Sequence, residues 1–140
     1  MASTGIHAGI YGSAVARMAQ AMLQALGGDT ITVLFPAAAL PNDPSAQIGL
    51  VDPGTVQVQL SPVIVRNLPL PADGPRRRVE FLISASSIAG ALIAQSAPTA
   101  EALFGLALGV IYDGDMFHIE DLTIETFAGV EYLYRLLAVE

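Results

Sequence analysis

The chain has 140 residues, a formal net charge of −7 from thirteen acidic residues and six arginines with no lysine, and no cysteine. Disulfides and thiolate-ligated metals are therefore excluded, and the shortage of basic side chains argues against a DNA binder that works by neutralising phosphates. It does not argue against a wall past which DNA slides, because like-charge repulsion prevents adhesion.

In chain order, residues 1–12 are rich in Gly, Ala, Ser and Thr, with Ile6, Ile10 and Tyr11 as isolated apolar anchors, and read as a flexible arm. Ser13 is a suitable N-cap for a helix over 14–26, in which Val15, Met18, Met22, Leu23 and Leu26 recur at helical spacing and Arg17, Gln20 and Gln24 take the other side. Gly27-Gly28 ends it, since glycine turns left-handed at a cap without steric cost. Asp29 to Phe35 is β-branched and alternating, hence a strand, closed by Pro36; residues 37–53 are proline-rich and read as a surface loop.

Thr55 to Leu60 alternates Val56, Val58 and Leu60 against Thr55, Gln57 and Gln59, the pattern of a half-buried strand. Ser61-Pro62 then marks an edge, bend or bulge before Val63 to Arg66, because proline cannot donate to a ladder. Residues 69–75 read as a second loop with Asp73-Gly74 at its tip, and Arg76 to Ser84 as a strand. Alternation puts Arg76 and Arg78 on one face and Arg77 on the other. These arginines read either as a solvated strand start paired with nearby carboxylates or as an intersubunit ion-pair site.

Residues 85–109 read as a helical insertion: Ile88, Leu92 and Ile93 at helical spacing behind a cap at Ser86 or Ser87, then a second short helix capped by Thr99 with Glu101 in its first turn. From Gly109 to Val139 the apolar residues return to a period of two. Asp113-Gly114 is a tight turn, Met116 to Glu120 a strand, Asp121-Leu122 a second bend, and Thr123 to Phe127 and Val130 to Val139 a pair of strands joined at Ala128-Gly129. The fold class expected is mainly β with helical additions, α+β, in a single domain spanning 1–140.

No catalytic constellation emerges. His7 and His118 have no partners at metal-ligand spacing, and Asp113, Asp115, Glu120 and Asp121 lack the twelve-residue ligand ladder of an EF-hand. Ser84, Ser86 and Ser87 sit in SASS rather than GxSxG, and Gly27-Gly28 ends a helix instead of opening one, the wrong polarity for holding a phosphate. No cofactor is expected. The apolar fraction of 53% contains no uninterrupted run of the ~18–20 residues a membrane helix needs, and the N-terminus has no basic region ahead of an apolar core. High apolar content with few charges suits a surface covered by neighbours in an assembly.

The order of helix, strand, long loop, strands and a final meander resembles the head-completion or stopper proteins, the head-tail connectors at the neck of long-tailed bacteriophages. The helix at Ala14 to Leu26, the stretch RRRVEFLISASSI (Arg76 to Ile88) and above all GDMFHIEDLTIETFAGVEYLYRLLAV (Gly114 to Val139) carry it. The insertion at 89–109 and the loop at 37–53 are additions to that pattern.

The resemblance implies a small antiparallel β-barrel or sandwich with an N-terminal helix. It also implies a non-enzymatic structural role in the virion neck, with assembly in the host cytoplasm. The subunits would form a homo-oligomeric ring of six or twelve that joins portal or adaptor to tail, retains and gates packaged DNA, and meets DNA only in passing. On that reading Arg76, Arg77, Arg78, Tyr132 and Tyr134 are interface candidates, and Asp113 and Asp115 form a channel-facing acidic turn. The alternatives are another tail-completion or tail-terminator protein, or a small-ligand or carbohydrate-binding barrel with Phe117, Phe127, Tyr132 and Tyr134 around a pocket. An enzyme using the carboxylates of Asp115 and Glu120 is a third class.

Overall fold

The computed structural model describes residues 2–37, 54–69 and 77–140, with residues 2–13 described by backbone alone. The loops read at 37–53 and 69–75, and Arg76, therefore lie largely or wholly outside the described residues. In chain order the elements are α1 (Ala2–Ala25), β1 (Asp29–Pro36), β2 (Thr55–Leu68), β3 (Arg78–Ser84), α2 (Ala85–Ala94), α3 (Ala100–Leu106), β4 (Gly109–Tyr112), β5 (Asp115–Phe127) and β6 (Val130–Val139). The six strands close into one antiparallel barrel in the order β1-β2-β3-β6-β5-β4, with β4 returning to β1.

The period-two pattern is what fills this barrel. Ile31, Val33 and Phe35 of β1, Val79, Phe81 and Ile83 of β3, and Tyr134, Leu136 and Ala138 of β6 all turn inward and are essentially buried. Phe81 lies edge-on to Phe117 of β5, with ring centroids 6.0 Å apart and planes at 89°, and to Tyr112 of β4 at 5.9 Å and 74°. Edge-to-face packing sets the positive ring edge against the negative face, so these aromatic pairs add to simple area burial.

β2 is one long strand that serves two neighbours. Thr55 to Leu60 pair with β1, and Val63 to Leu68 pair with β3. The handover falls at Ser61-Pro62, a cis peptide, opposite a register shift between Asp29 and Ile31. The expected interruption at Pro62 is thus a bulge inside a continuous strand. Asp121-Leu122, expected as a bend, is likewise a register shift within β5, between Ile119 and Asp121. A long strand on a closed, twisted sheet absorbs an extra residue without turning back.

Both hairpins of the C-terminal meander use two-residue loops with positive φ at each position: Asp113 at 53° with Gly114 at 81°, and Ala128 at 52° with Gly129 at 77°. That is the backbone of the primed turns, whose twist matches paired strands. Asp tolerates the left-handed region; Ala128 adopts it at a cost.

The helical insertion is part of the core. Ile88 and Ala91 of α2 and Ala100, Leu103 and Phe104 of α3 join the same buried cluster as the strands. Thr99 caps α3 as its sequence indicates, its Oγ1 accepting from the Ala102 amide at 3.1 Å. α2 is capped differently: Ser84 holds the N-cap position but its side chain does not bond the helix amides.

α1 departs most from expectation. It begins at Ala2 rather than after Ser13, so residues 2–12 are helix and not an arm; Gly5, Gly9 and Gly12 lower the helix propensity there, but no proline interrupts the ladder that extends from the following turns. Gly27, at φ 98°, terminates it as expected. Gly28 serves a second need, because a Cβ there would meet Pro62 Cβ at 2.3 Å; its lack of a side chain lets the helix end close against the β2 bulge. Of the apolar face read from sequence, Leu23 is buried, while Met18, Met22 and Leu26 are 62%, 61% and 70% exposed.

Candidate functional site

The arginine cluster opens β3, and strand parity divides it. Arg77 is in phase with Val79 and Phe81 and reaches over the barrel's end, its guanidinium 5.8 Å from the Tyr112 ring centre and 5.6 Å from that of Phe117. Its Nε and Nη2 donate to Asn67 Oδ1 at 3.3 and 3.2 Å, and its Nη1 stands 3.7 Å from Asp115 Oδ2. Arg78 points to the outer face and donates from Nη2 to Glu120 Oε2 at 3.0 Å. Both arginines therefore have carboxylate partners within the chain, as the solvated strand-start reading expected. Arg66 and Arg135 do as well, 3.5 Å from Glu80 and 3.4 Å from Glu125.

Asp113 is exposed at the tip of the β4–β5 turn, and Asp115 is tied to Arg77. Tyr112 donates to Asp29 Oδ2 at 3.3 Å, and burial first, then the Asp29 charge, raises its phenol above the ordinary value. Of the two candidate interface tyrosines, Tyr132 is half-buried and Tyr134 only 2% exposed. Tyr134 is therefore barrel filling and not a surface anchor: parity with Leu136 and Ala138 turns it inward, where its ring meets Phe104 at 6.3 Å. Its hydroxyl donates to Glu131 Oε2 at 2.6 Å, and burial together with that bond holds its proton far above the usual phenol range.

The aromatic set proposed to line a ligand pocket is dispersed. Phe117 lies in the core, Phe127 is 49% exposed at the last hairpin, and Tyr134 is packed under α3. Asp115 and Glu120 are each engaged by a different arginine.

A cleft lies elsewhere, between α3 and β5. It has a volume of about 460 Å³ and an apolar floor of Phe104, Ile119, Leu122 and Ile124. Its rim carries Glu101, Glu120 and Asp121, with Gly105 completing the lining. Glu120 is neutralised by Arg78; Glu101 and Asp121 have no cationic partner among the described residues. The β5 register shift beside Asp121 places that carboxylate next to Glu120 on the rim. In sequence the only sign of this cleft is the acidic Glu120-Asp121 pair flanked by Ile119 and Leu122; that Glu101 would join it depends on how α3 folds back.

A polar junction ties α1 to the barrel. Ser84 is fully buried and donates to Gln20 Oε1, its Oγ lies 2.9 Å from Ser87 Oγ, and Ser87 reaches Gln20 at 3.1 Å and the Ser61 carbonyl at 3.2 Å. Ser84 and Ser87 of SASS thus satisfy a buried helix–strand junction, with an amide rather than a base as neighbour, while Ser86 is exposed. His118 is exposed, and His7 lies outside the described side chains. Among the described residues no group of three or more His, Asp or Glu is placed to hold a metal, and no described helix is long and apolar enough to cross a membrane.

Compared with protein-family models, curated proteins and solved structures, the chain finds no match.

Proposed function

We propose that this protein is a non-enzymatic structural subunit of a bacteriophage neck, assembling into a ring that joins the portal to the tail and helps retain packaged DNA. The observation that carries this reading is a barrel filled by its own side chains that nevertheless leaves large apolar residues outside. Ile93 is 82% exposed, Phe127 49%, and Met18, Met22 and Leu26 at least 61%. Scattered single exposures are ordinary, but a row of them along the end of α1 and the residue after it, in a chain with so few charged residues, suits a surface that neighbours cover. The net charge of −7 fits a ring whose lumen repels DNA. The resemblance of the helix and the C-terminal meander to neck proteins supplies the biological setting.

Mass measurement of the purified full chain, alone and with candidate portal and tail proteins, tests this. A ring of six or twelve subunits, formed alone or on the portal, supports the reading; a chain that stays monomeric in every mixture overturns it.

A further inference from the structure

α1 presents Met18 and Met22 on one exposed face, which Leu26 continues just past the helix's last residue, successive residues four apart. Arg17, also exposed, flanks Met18 about 100° round the helix on the side away from Leu26, and has no carboxylate partner among the described residues. The whole helix, Ala2 to Ala25, contains no Asp or Glu, although the chain carries thirteen. α1 is therefore apolar and weakly positive on a strongly negative protein.

The α3–β5 cleft has the complementary character. Its floor is apolar and its rim holds Glu101 and Asp121, neither with a cationic partner among the described residues. At about 460 Å³ it lies within the roughly 300–1,000 Å³ range of sites that accept side chains or small ligands. None of its lining residues belongs to α1, so the two surfaces are separate and one copy can offer both at once.

We propose that the Met18–Met22–Leu26 face of α1 docks in the α3–β5 cleft of a second copy of this chain, with Arg17 against the neighbour's Glu101 and Asp121. This rests on the assembly reading and specifies its contact. Copies of a −7 chain repel unless the contact unites opposite signs, and this pairing does so while covering apolar surface on both sides. An amphipathic helix in an apolar groove, anchored at residues four apart, is a recurrent recognition mode. The contact joins different surfaces on the two copies, so repetition generates a ring or filament instead of stopping at a two-fold dimer.

Charge reversal tests it, in the full-length chain, with subunit number followed against concentration by native mass spectrometry and light scattering. If the wild type assembles only with neck proteins present, the same series is run in that mixture. Arg17→Glu and Asp121→Arg should each raise the concentration for half-assembly roughly tenfold or more, and the double variant should recover most of that loss. Met22→Glu should abolish assembly, with circular dichroism showing the fold unchanged.

A wild type that assembles while all these variants assemble equally well overturns the docking and leaves the assembly reading standing. Assembly that stops at a dimer and responds to Arg17→Glu but not to Asp121→Arg also overturns it, in favour of α1 meeting α1. A wild type that never assembles overturns both.

Discussion

Phe81 and Met22 are large apolar residues on regular elements, yet one is fully buried and the other 61% exposed. The difference lies in what each element faces. β3 has neighbours on both edges and a closed interior, so every second side chain is inside by geometry. α1 lies against the barrel on the side that carries Ala16, Ala19, Gln20 and Leu23, and leaves Met18 and Met22 on the side that faces away from it. Apolar periodicity therefore reports that a face wants cover; it does not say whether the same chain provides it.

The widest test of that contrast is truncation. Phe81→Ala should cost about 3–5 kcal/mol of unfolding free energy in chemical denaturation, the usual range for deleting a buried aromatic ring. Met22→Ala should stay within about 0.5 kcal/mol for the isolated subunit. A comparable loss at Met22 would break the contrast and show that the chain covers its own helix.

A smaller effect is expected where the two regions join. Gly28→Ala would place a methyl group well inside van der Waals contact with Pro62 Cβ, and should destabilise by about 1–3 kcal/mol as overpacking. The same substitution at Gly114 is not a control, because its positive φ adds backbone strain. Gly90, with open space around its Cβ position and no positive φ, is one.

Inside the barrel, Tyr134 gives the interior a titratable reporter. Its folded pKa is raised above the ordinary value of 10.0, by burial and then by Glu131, so the folded state keeps a proton that the unfolded chain releases. Its contribution is fully present below about pH 10 and is lost as pH climbs toward the folded value. Denaturation midpoints should therefore fall above about pH 10, and less steeply in Tyr134→Phe. An identical alkaline slope in that variant would show that the loss comes from other groups.

The smallest change concerns the exposed hairpin. Ala128 sits at φ 52°, where Asn is better tolerated, so Ala128→Asn should raise stability by about 0.5–1 kcal/mol in thermal or chemical unfolding. A loss of stability there would mean that the alanine methyl has a packing role in the last turn.

Much of the barrel was legible because a period of two is enforced by the strand itself. The strands at Asp29, Thr55 and Val130, the Asp113-Gly114 and Ala128-Gly129 turns, the Thr99 cap and the Gly27 stop all follow from local chemistry. So did the division of Arg77 from Arg78. What failed were inferences that turn on neighbours in space: the extra turns of α1, the inward place of Tyr134, and the burial of an insertion that sequence alone set apart from the core. The cleft was invisible for the same reason, since Glu101 and Asp121 are twenty residues apart in sequence and meet only across α3 and β5.

The sequence by itself determined which residues alternate, where the chain must turn, and that this would be an acidic, cysteine-free, mainly β protein, because those properties are carried by individual residues and their nearest neighbours along the chain. Only the tertiary structure decided that the strands close into a barrel, that α2 and α3 belong to its core, and that α1 keeps an apolar face uncovered opposite in character to an acid-rimmed cleft. Closure and cover are set by which surfaces reach one another in space, and the shape of the whole barrel fixes that.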